Sequence, residues 1–410
     1  MTRRIDSILA NAGLPPLERS AWVEVDIDIL TANAAALVAL ARPAALAAVV
    51  KADGYGHGLE MAGRCAVAGG AGWLCVADSA EATRLRRDGY RGRVFVLYPV
   101  PHAMVPRMAR LGVDVTVGST EEARTLDDLL EGDALVVGVH LEIDTGMTRG
   151  GVSAEAAVAA ATALATGSSS RLAGVWTHLA APENPEITAE QLARFDSVLS
   201  RLQEAGIDPG SIHAAASGGL LAADTTTHAL VRPGLAFYGL HPDAGAPLPP
   251  RVGPALSVRA HPVRIAEVAA GTSVGYAGTW TTTRAATIAT IPIGYADGWS
   301  RTSSPGTDVL VEGRRAPLVG RVSSDSITVD VTDVPDVGHD SEFTLLGRDG
   351  DDEITADELA AVRGTISWEV LQQLGSRLGR VYVSGTTALA RRAESAIDIE
   401  YAPGAVAPGY

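Results

Sequence analysis

Two kinds of segment, one strand-like and one helix-like, alternate along the first 240 residues of the chain. Short apolar runs rich in β-branched residues are separated by Ala-, Leu- and Glu-containing segments with helical spacing, such as residues 79–88 and 119–130. Strands that alternate with helices predict parallel βαβ units. Eight such units favour a closed (β/α)8 barrel over the alternative, an open doubly wound sheet. The predicted strands are residues 48–53, 73–78, 94–99, 113–118, 135–145, 172–179, 211–217 and 230–239.

The pattern changes near residue 241. Residues 241–254 are rich in Pro, Gly and Ala and are typical of a linker. Strand-like runs with few helices between them follow, which predicts a mainly antiparallel β domain. Its predicted elements are strands at 255–268, 285–293, 308–310, 327–331 and 342–346, a helix at 367–376 and a last strand at 380–383. The sequence thus divides into an N-terminal extension (1–20), a barrel (21–245) and a C-terminal β domain (246–410).

Composition and charge narrow the class of protein. A chain of 410 residues with 47% hydrophobic and 20% charged residues is long enough for two folded domains. The net charge of −15 argues against non-specific binding of nucleic acid. Cys65 and Cys75 match neither a disulfide framework nor a zinc motif, so we expect no metal. Because no secretory signal or bilayer-length apolar stretch is evident, the sequence predicts a cytoplasmic protein that does not bind a membrane.

The end of the first predicted barrel strand carries a candidate catalytic residue. Active sites of such barrels lie at the C-terminal ends of the strands. Lys51 follows an apolar run there and precedes three glycines, Gly54, Gly56 and Gly58. A Schiff-base lysine needs a fixed, partly desolvated position of this kind, and glycines let the backbone approach a bulky cofactor. A surface lysine that caps the strand explains the segment equally well.

Charged groups at two other strands need partners. Glu142 and Asp144 alternate onto one face of the fifth strand, and the nearest cation in the sequence is Arg149. A structural Glu–Arg pair is the favoured interpretation of this segment taken alone. Arg232 lies within the apolar eighth strand beside a proline, where a buried guanidinium must meet an acceptor.

Four further positions are weaker on their own. His178, at the end of the sixth strand, is more typical of a core histidine. Ser217 precedes two glycines and could hold a phosphate group, although a simple turn explains it as well. In the second domain Tyr276 and Tyr295 lie between small residues, where the aromatic residue of a β-turn is the favoured interpretation. The segment 320–325 is similar in character.

Taken together, these segments resemble the alanine racemase family from about residue 20 to residue 385. The order and spacing match in residues 48–58, 144–149, 177–178, 231–240, 273–277, 292–298 and 365–370. The resemblance implies a barrel followed by a β domain, with pyridoxal 5'-phosphate (PLP) as cofactor. It also implies a small amino-acid substrate, interconversion of L- and D-alanine, and a homodimer whose active sites are shared between the subunits.

The resemblance assigns two opposed catalytic bases. Lys51 would carry PLP, and Tyr276 of the partner subunit would be the second base, because racemisation removes the α-proton from one face and returns a proton to the other. A hydrogen-bond chain from Tyr276 through His178 to Arg232 would stabilise the phenolate. Arg232 would also keep the pyridine nitrogen unprotonated, which weakens the electron sink and limits transamination.

The remaining assigned residues surround the cofactor and the substrate. The cofactor-binding set is Lys51, Tyr55, Arg149, His178, Ser217, Arg232, Gly234, Leu235 and Trp368, of which Tyr55, Ser217, Gly234 and Leu235 would hold the phosphate. The substrate-binding set is Arg149, Ser324, Asp325 and Tyr295.

The sequence departs from the family pattern at four positions. Glu142 stands where the family commonly has a carbamylated lysine. Its carboxylate would supply the same anion to Arg149 without carbon dioxide, so we expect activity that does not depend on bicarbonate. Ala216 replaces an asparagine, Ser324 a methionine and Trp368 a tyrosine. The last two changes alter the substrate side.

Three other functions compete with alanine racemisation. A racemase for serine or another larger amino acid is motivated by Ser324 and Trp368. A non-catalytic PLP-carrier protein would resemble the barrel but would lack the second domain and Tyr276. A decarboxylase of the same architecture would need an acidic partner at the pyridine nitrogen, and Arg232 disfavours that function.

Overall fold

The computed structural model describes residues 4–130, 134–222, 228–242, 247–396, 398–405 and 408–410. The chain forms two compact units. The barrel unit comprises Leu30–Gly54, Leu59–Gly253 and Pro408–Tyr410. The β unit comprises Met1–Ile29, Tyr55–Gly58 and Pro254–Ala407. The division is therefore not a simple cut of the sequence in two, because the short segment after Lys51 groups with the β unit.

The barrel unit is built on a parallel sheet. The first strand of the chain, β1 (Ala21–Asp26), belongs to the β unit, and the next eight strands form this sheet. From β2 to β8 each strand pairs with the next, and β2 also pairs with β9. A bridge between Ala216 and Arg232 connects the segments that follow β8 and β9. The sheet therefore closes, and the predicted (β/α)8 class is confirmed. The strands are β2 (Ala45–Val49), β3 (Trp73–Val76), β4 (Arg93–Val96), β5 (Val113–Val117), β6 (Val137–Glu142), β7 (Ser170–Trp176), β8 (Ser211–His213) and β9 (Leu230–Val231).

Helices alternate with these strands. Several begin at a side chain that accepts backbone N–H groups; Asp78, for example, accepts from Ala80 and Glu81. Such caps fix where a helix begins and therefore where the preceding loop ends. The helices are Ile27–Ala41, Leu59–Ala68, Ser79–Arg87, Val105–Arg110, Thr120–Leu129, Ala157–Thr166, Pro185–Glu204 and Ser217–Leu221, with 3-10 turns at His102–Met104 and Leu235–Tyr238.

The β unit contains a large, mainly antiparallel sheet. Its described strands run in the order β11-β14-β17-β16-β15-β18-β10-β1-β20-β21-β22, β19 pairs with β18, and β12 and β13 form a separate ribbon. The pair β1–β20 is parallel. The strands are β10 (Leu256–Ala260), β11 (Arg264–Val268), β12 (Ser273–Val274), β13 (Trp280–Thr281), β14 (Ala286–Ile291), β15 (Asp308–Val311), β16 (Arg314–Val319), β17 (Ile327–Asp330), β18 (Phe343–Asp349), β19 (Asp352–Ile354), β20 (Gly379–Ser384), β21 (Thr387–Arg392) and β22 (Glu400–Tyr401).

Helices and turns complete this unit. The helix Arg4–Asn11, within the predicted N-terminal extension, buries Ile5 and Leu9 against a cluster that includes Trp22 and Val381. The other helices are Ala356–Arg363 and Ser367–Gln372, with 3-10 turns at Tyr276–Gly278, Tyr295–Asp297 and Arg301–Ser303.

The structure differs from the sequence-based outline in three places. The predicted barrel range of 21–245 includes β1, which pairs with β10 and β20 instead; the predicted boundary at 245/246 lies outside the described residues. The predicted strand 255–268 is two strands, β10 and β11, because Pro262 between them has no N–H to donate. The predicted last strand is followed by β21 and β22.

None of the helices in the described residues has the length and apolarity needed to span a bilayer.

Candidate active site

Lys51 lies directly after β2 and begins an unusual turn. Ala52, Asp53, Gly54 and Tyr55 have φ angles of 53°, 53°, 62° and 51°, so the turn is left-handed. Left-handed backbone costs an L-residue about 1–2 kcal/mol. Three of these four residues carry a side chain, so the surrounding contacts must hold the turn in place.

The amine of Lys51 is desolvated and lies among charges. Burial lowers its pKa, the positive charge of Arg149 lowers it further, and the negative charge of Glu81 opposes both. The ring of Tyr98 lies beside both cations, with its centroid 5.7 Å from Lys51 Nζ and 5.6 Å from Arg149 Cζ. A lysine whose pKa is lowered in this way is suited to forming a covalent bond with a carbonyl group.

Arg232 is the most deeply buried cation of the barrel mouth, with 2% of its surface exposed. Its Nη1 donates to His213 Nδ1 at 2.6 Å, and its Nη2 donates to the carbonyl oxygens of Thr177 at 2.9 Å and Ala214 at 3.1 Å. His178 Nδ1 lies 3.4 Å from Nη2. A buried guanidinium needs hydrogen-bond acceptors, as the sequence predicted. The imidazole of His213 and two backbone oxygens supply them. Burial lowers the pKa of Arg232 to about 10, which still leaves it charged at neutral pH.

A line of imidazoles continues from Arg232 into the barrel. His213 Nε2 lies 2.8 Å from His140 Nδ1, and His140 Nε2 lies 3.6 Å from Asp114 Oδ2. Because a guanidinium only donates, His213 Nδ1 must accept, so the His213 proton is on Nε2 and faces His140 Nδ1. Burial lowers the pKa of both rings, so both are neutral at neutral pH.

Three cations act together on His178. Burial, then Arg232, Arg149 and Lys51 in that order, lower its pKa to about 3. The imidazole is therefore neutral at neutral pH. The same observation shows that three positive charges converge on one part of the barrel mouth.

Ser217 organises the ends of the last two barrel strands. The side chain is buried, and its Oγ accepts the N–H of Gly234 at 3.0 Å and of Ala236 at 3.2 Å. Leu235 begins the 3-10 turn between these two donors. Ser217, Gly234 and Leu235 are therefore brought together, as a phosphate site would require.

Glu142 ends β6 and is almost completely buried, with 6% of its surface exposed. Burial raises the pKa of its carboxyl group, and the positive charges of Arg149 and Arg232 oppose this rise. A Cβ at Gly150 would lie 2.9 Å from Glu142 Oε2, so the glycine lets the loop after Arg149 approach the carboxylate closely. The geometry suits an anion that acts on Arg149.

The remaining predicted site residues belong to the β unit: Tyr55, Trp368, Tyr276, Tyr295, Ser324 and Asp325. Trp368 lies half-buried in the helix Ser367–Gln372, and a Cβ at Gly56 would lie 2.5 Å from the Leu371 oxygen of that helix. The helix thus packs tightly against the segment that begins with Tyr55, and only a glycine fits at the contact.

Two turns of the β unit present aromatic side chains. Tyr276 begins a 3-10 turn between Gly275 and Ala277, both with positive φ, and is 66% exposed. Tyr295 begins another turn, and its N–H donates to the Ser323 oxygen at 3.1 Å, next to Ser324 and Asp325. Within this unit the structure therefore brings the three predicted entrance residues into adjoining loops.

The entrance carboxylate already has a cation. Asp325 accepts from Arg377 Nη2 at 2.7 Å, and this contact lowers the pKa of the carboxyl group.

Two family models match consecutive parts of the chain. The model described as alanine racemase, N-terminal domain, matches residues 25–242, and the model described as alanine racemase, C-terminal domain, matches residues 255–382. The chain belongs to the alanine racemase family.

Relatives of the alanine racemase family match nearly the whole chain. The alanine racemase of Symbiobacterium thermophilum is 38% identical over 374 residues, which cover 90% of this chain and 98% of the relative. The structure of the Bacillus anthracis alanine racemase with bound L-Ala-P has a TM-score of 0.87 at 32% identity and covers 96% of this chain and 100% of that one. A histidine racemase from Leuconostoc mesenteroides has a TM-score of 0.83 at 26% identity, with coverage of 90% and 99%.

The donor set of this alanine racemase family member fits PLP. A desolvated lysine amine, a buried serine hydroxyl at the ends of the last strands, and three converging cations provide a covalent attachment point, a phosphate donor and a positive field. Such a field suits an anionic cofactor and a substrate carboxylate. The residues present are therefore chemically suited to this group.

Sequence reasoning missed several residues around the site. Tyr98 follows β4, so attention to polar residues at strand ends would have found it. His213 ends β8 and carried the same signal. Glu81 carried none, because a glutamate in the first turn of a helix is ordinarily explained by the helix dipole.

Proposed function

We propose that this member of the alanine racemase family interconverts L- and D-alanine with PLP bound covalently to Lys51. The observation that carries the proposal is the desolvated Lys51 amine, on which Arg149 acts electrostatically, at the mouth of a barrel that also buries Arg232. The barrel, predicted as residues 21–245, would hold the cofactor, and the β domain, predicted as residues 246–410, would supply the second base.

The proposed cofactor contacts follow from the donor chemistry. Lys51 would attach to the carbonyl carbon, and Arg232 would face the pyridine nitrogen. The cofactor, when bound, supplies an electron sink that acidifies the α-proton of an attached amino acid. The phosphate would meet the Ser217 hydroxyl, the Gly234 and Leu235 backbone and Tyr55, with Trp368 on the same side. His178 and Arg149 complete the proposed set.

The two proposed bases are Lys51 and Tyr276. The amine of Lys51 would accept the α-proton on one face, and the phenol of Tyr276, from the partner subunit of a homodimer, would donate a proton on the other. A free tyrosine with a pKa near 10 is a poor base at neutral pH. The neutral ring of His178, 3.4 Å from Arg232, supports a chain that would stabilise the phenolate.

Arg149 would bind the substrate carboxylate, with Glu142 as its buried anion. The carboxylate of Glu142 takes the place of the family's carbamylated lysine, which supports activity without bicarbonate. Ser324, Asp325 and Tyr295 would line the substrate entrance.

A second candidate is racemisation of a larger amino acid. Ser324 and Trp368 change the substrate side, and the similarity to a histidine racemase shows that this fold occurs with a bulkier substrate. Initial rates with both enantiomers of alanine, serine and histidine would separate the two candidates.

The Lys51→Ala change tests the proposal. We expect borohydride reduction of the PLP-loaded protein, followed by peptide mass spectrometry, to place the cofactor on Lys51. The variant should lose the covalent cofactor and about 10⁴-fold or more in racemisation, as expected when a group that forms the covalent bond is removed. Chiral analysis of L-alanine incubations measures the rate. Lys51 is the one lysine of the sequence. Reduction that adds no cofactor mass to Lys51, or a variant that still racemises, would refute the proposal.

A further inference from the structure

The left-handed turn after Lys51 needs an external brace. Its backbone is unfavourable at Ala52, Asp53 and Tyr55, because each carries a side chain at positive φ. A turn of this kind persists only where surrounding contacts determine it. Because the turn begins at Lys51, whatever holds it also sets the direction of the amine.

Glu81 supplies the first contact. Its Oε1 accepts the N–H of Asp53 at 3.3 Å, and its Oε2 accepts the N–H of Ala77 at 2.8 Å. The N–H of Ala52 also donates to this carboxylate. One side chain therefore ties the turn after β2 to the loop after β3, and the cap at Asp78 fixes the helix from which Glu81 projects.

Asp53 supplies the second contact. Its Oδ1 accepts the N–H of Leu59 at 3.2 Å and Nη2 of Arg84 at 3.0 Å. Arg84 in turn donates to both carboxylate oxygens of Glu60, at 2.8 Å and 2.9 Å. Both Glu81 and Arg84 project from the helix Ser79–Arg87, so this one helix anchors the turn at two points.

The charge of Glu81 also reaches the amine. Arg149 and Glu81 act on Lys51 with opposite sign, and burial disfavours the ammonium form. Glu81 is thus the acidic side chain whose field offsets Arg149 at the Lys51 amine.

We propose that Glu81 is a positioning residue for Lys51, whose carboxylate fixes the left-handed turn through backbone N–H groups and balances the charge of Arg149 at the amine. The inference rests on the proposed function, in which Lys51 carries the cofactor. It assigns a role to a residue that would touch neither cofactor nor substrate.

The test uses the cofactor-free protein first. Competitive acetylation at a series of pH values, read by peptide mass spectrometry, gives the pKa of Lys51 in wild type and variants. We expect Glu81→Gln to lower this pKa by about one unit, because an opposite charge near an ammonium stabilises it by that order. Glu81→Asp keeps the charge and should leave the Lys51 pKa close to the wild-type value, although its shorter side chain should not hold both loops in place. Equal pKa values for wild type and Glu81→Gln would overturn the inference.

Glu122 provides a matched control. Its Oε2 accepts the N–H of Gly118 at 2.8 Å, the same separation along the chain and the same distance as Glu81 to Ala77, but it makes no hydrogen bond to the turn after Lys51 among the described residues. Glu122→Gln should leave the Lys51 pKa unchanged. An equal shift in both Gln variants would show that the charge effect is general, and the inference would fail.

The loaded enzyme gives a second readout. We expect Glu81→Gln to keep the cofactor on Lys51 and to lower kcat about 10- to 100-fold with little change in KM, the usual scale for residues that orient a reacting group. If Glu81→Gln does not fold, Glu81→Asp decides alone: its shorter side chain cannot reach both loops, so a wild-type kcat would overturn the inference. If the wild type itself neither binds PLP at Lys51 nor racemises alanine, the proposed function fails instead.

Discussion

The two proposed bases are presented in opposite ways. Lys51 is desolvated, follows a buried strand and begins a turn that Glu81 and Asp53 anchor. Tyr276 is 66% exposed on a short turn of the β unit. A desolvated amine is ready for covalent chemistry, whereas an exposed phenol has neither a fixed direction nor a dry environment. The contrast agrees with the proposed division, in which a partner subunit would supply Tyr276 to the Lys51 site.

A hybrid dimer tests this division most strongly. Tyr276→Phe should lower racemisation about 10²- to 10⁴-fold, because one proton donor is lost. In D₂O the variant should still exchange the α-proton of one enantiomer, since Lys51 remains. Mixing Lys51→Ala with Tyr276→Phe should restore about one quarter of wild-type activity. Half of the dimers are then hybrids, and one of the two sites in each hybrid is intact if the bases come from different subunits.

The same mixture can contradict the model. If both bases came from one chain, every hybrid site would lack one of them and no activity would return. Either variant alone, measured at the same total concentration, is the control.

Substitution of Arg232 should have the next largest effect on the reaction. Arg232→Glu should raise formation of pyruvate from alanine and lower racemisation by at least about tenfold, because an acid at the pyridine nitrogen favours its protonated form and strengthens the electron sink. Pyruvate is measured with a coupled dehydrogenase, and Arg232→Lys, which keeps a cation, is the control. An unchanged ratio of pyruvate to D-alanine would contradict the proposed role.

Glu142 should have a smaller effect. Glu142→Gln removes the buried negative charge that acts on Arg149, and we expect KM for alanine to rise about tenfold, equivalent to roughly 1.4 kcal/mol. Wild-type activity should be the same with and without added bicarbonate. Strong activation by bicarbonate would mean that Glu142 does not replace the carbamate.

The smallest expected effect is on the free energy of unfolding, and it comes from the buried barrel histidines. The pKa of His213 lies well below its ordinary value near 6.5, so below that pH the unfolded chain binds a proton that the native chain does not. Stability is therefore full above about pH 6.5 and falls as the pH drops, by about 1.4 kcal/mol per unit for this group. His213→Gln should flatten the dependence between pH 7 and 5.5 in urea unfolding. The exposed His102→Gln is the control, and equal slopes for His213→Gln and wild type would refute the assignment.

Much of the barrel could be predicted because its signal is local. Each of the eight predicted runs overlaps one of β2–β9, since apolar β-branched segments between helices have few other uses in a parallel sheet. The partner of β1 could not be predicted, because Trp22 and Val25 look the same in either sheet while pairing depends on distant strands.

The site residues also divide into those with a local signal in the sequence and those whose role depends on distant contacts. Lys51, Ser217 and Arg232 could be found because each is polar at the end of an apolar strand. Tyr98 carried the same signal and was overlooked. Glu81 could not be assigned from the sequence, because its role depends on which loops the closed barrel brings side by side. The presence of the β unit with Tyr276 also separates this chain from a PLP-carrier barrel.

The imidazole line behind Arg232 has one further consequence. Because a guanidinium never accepts, each ring behind it is fixed in a single tautomer, and the hydrogen bonds all point the same way. An acceptor at position 232 would require His213 and then His140 to exchange their protonated nitrogens. A single substitution at the barrel mouth would therefore change the nitrogen-15 chemical shifts of the ring nitrogens of two buried histidines, even before any cofactor binds.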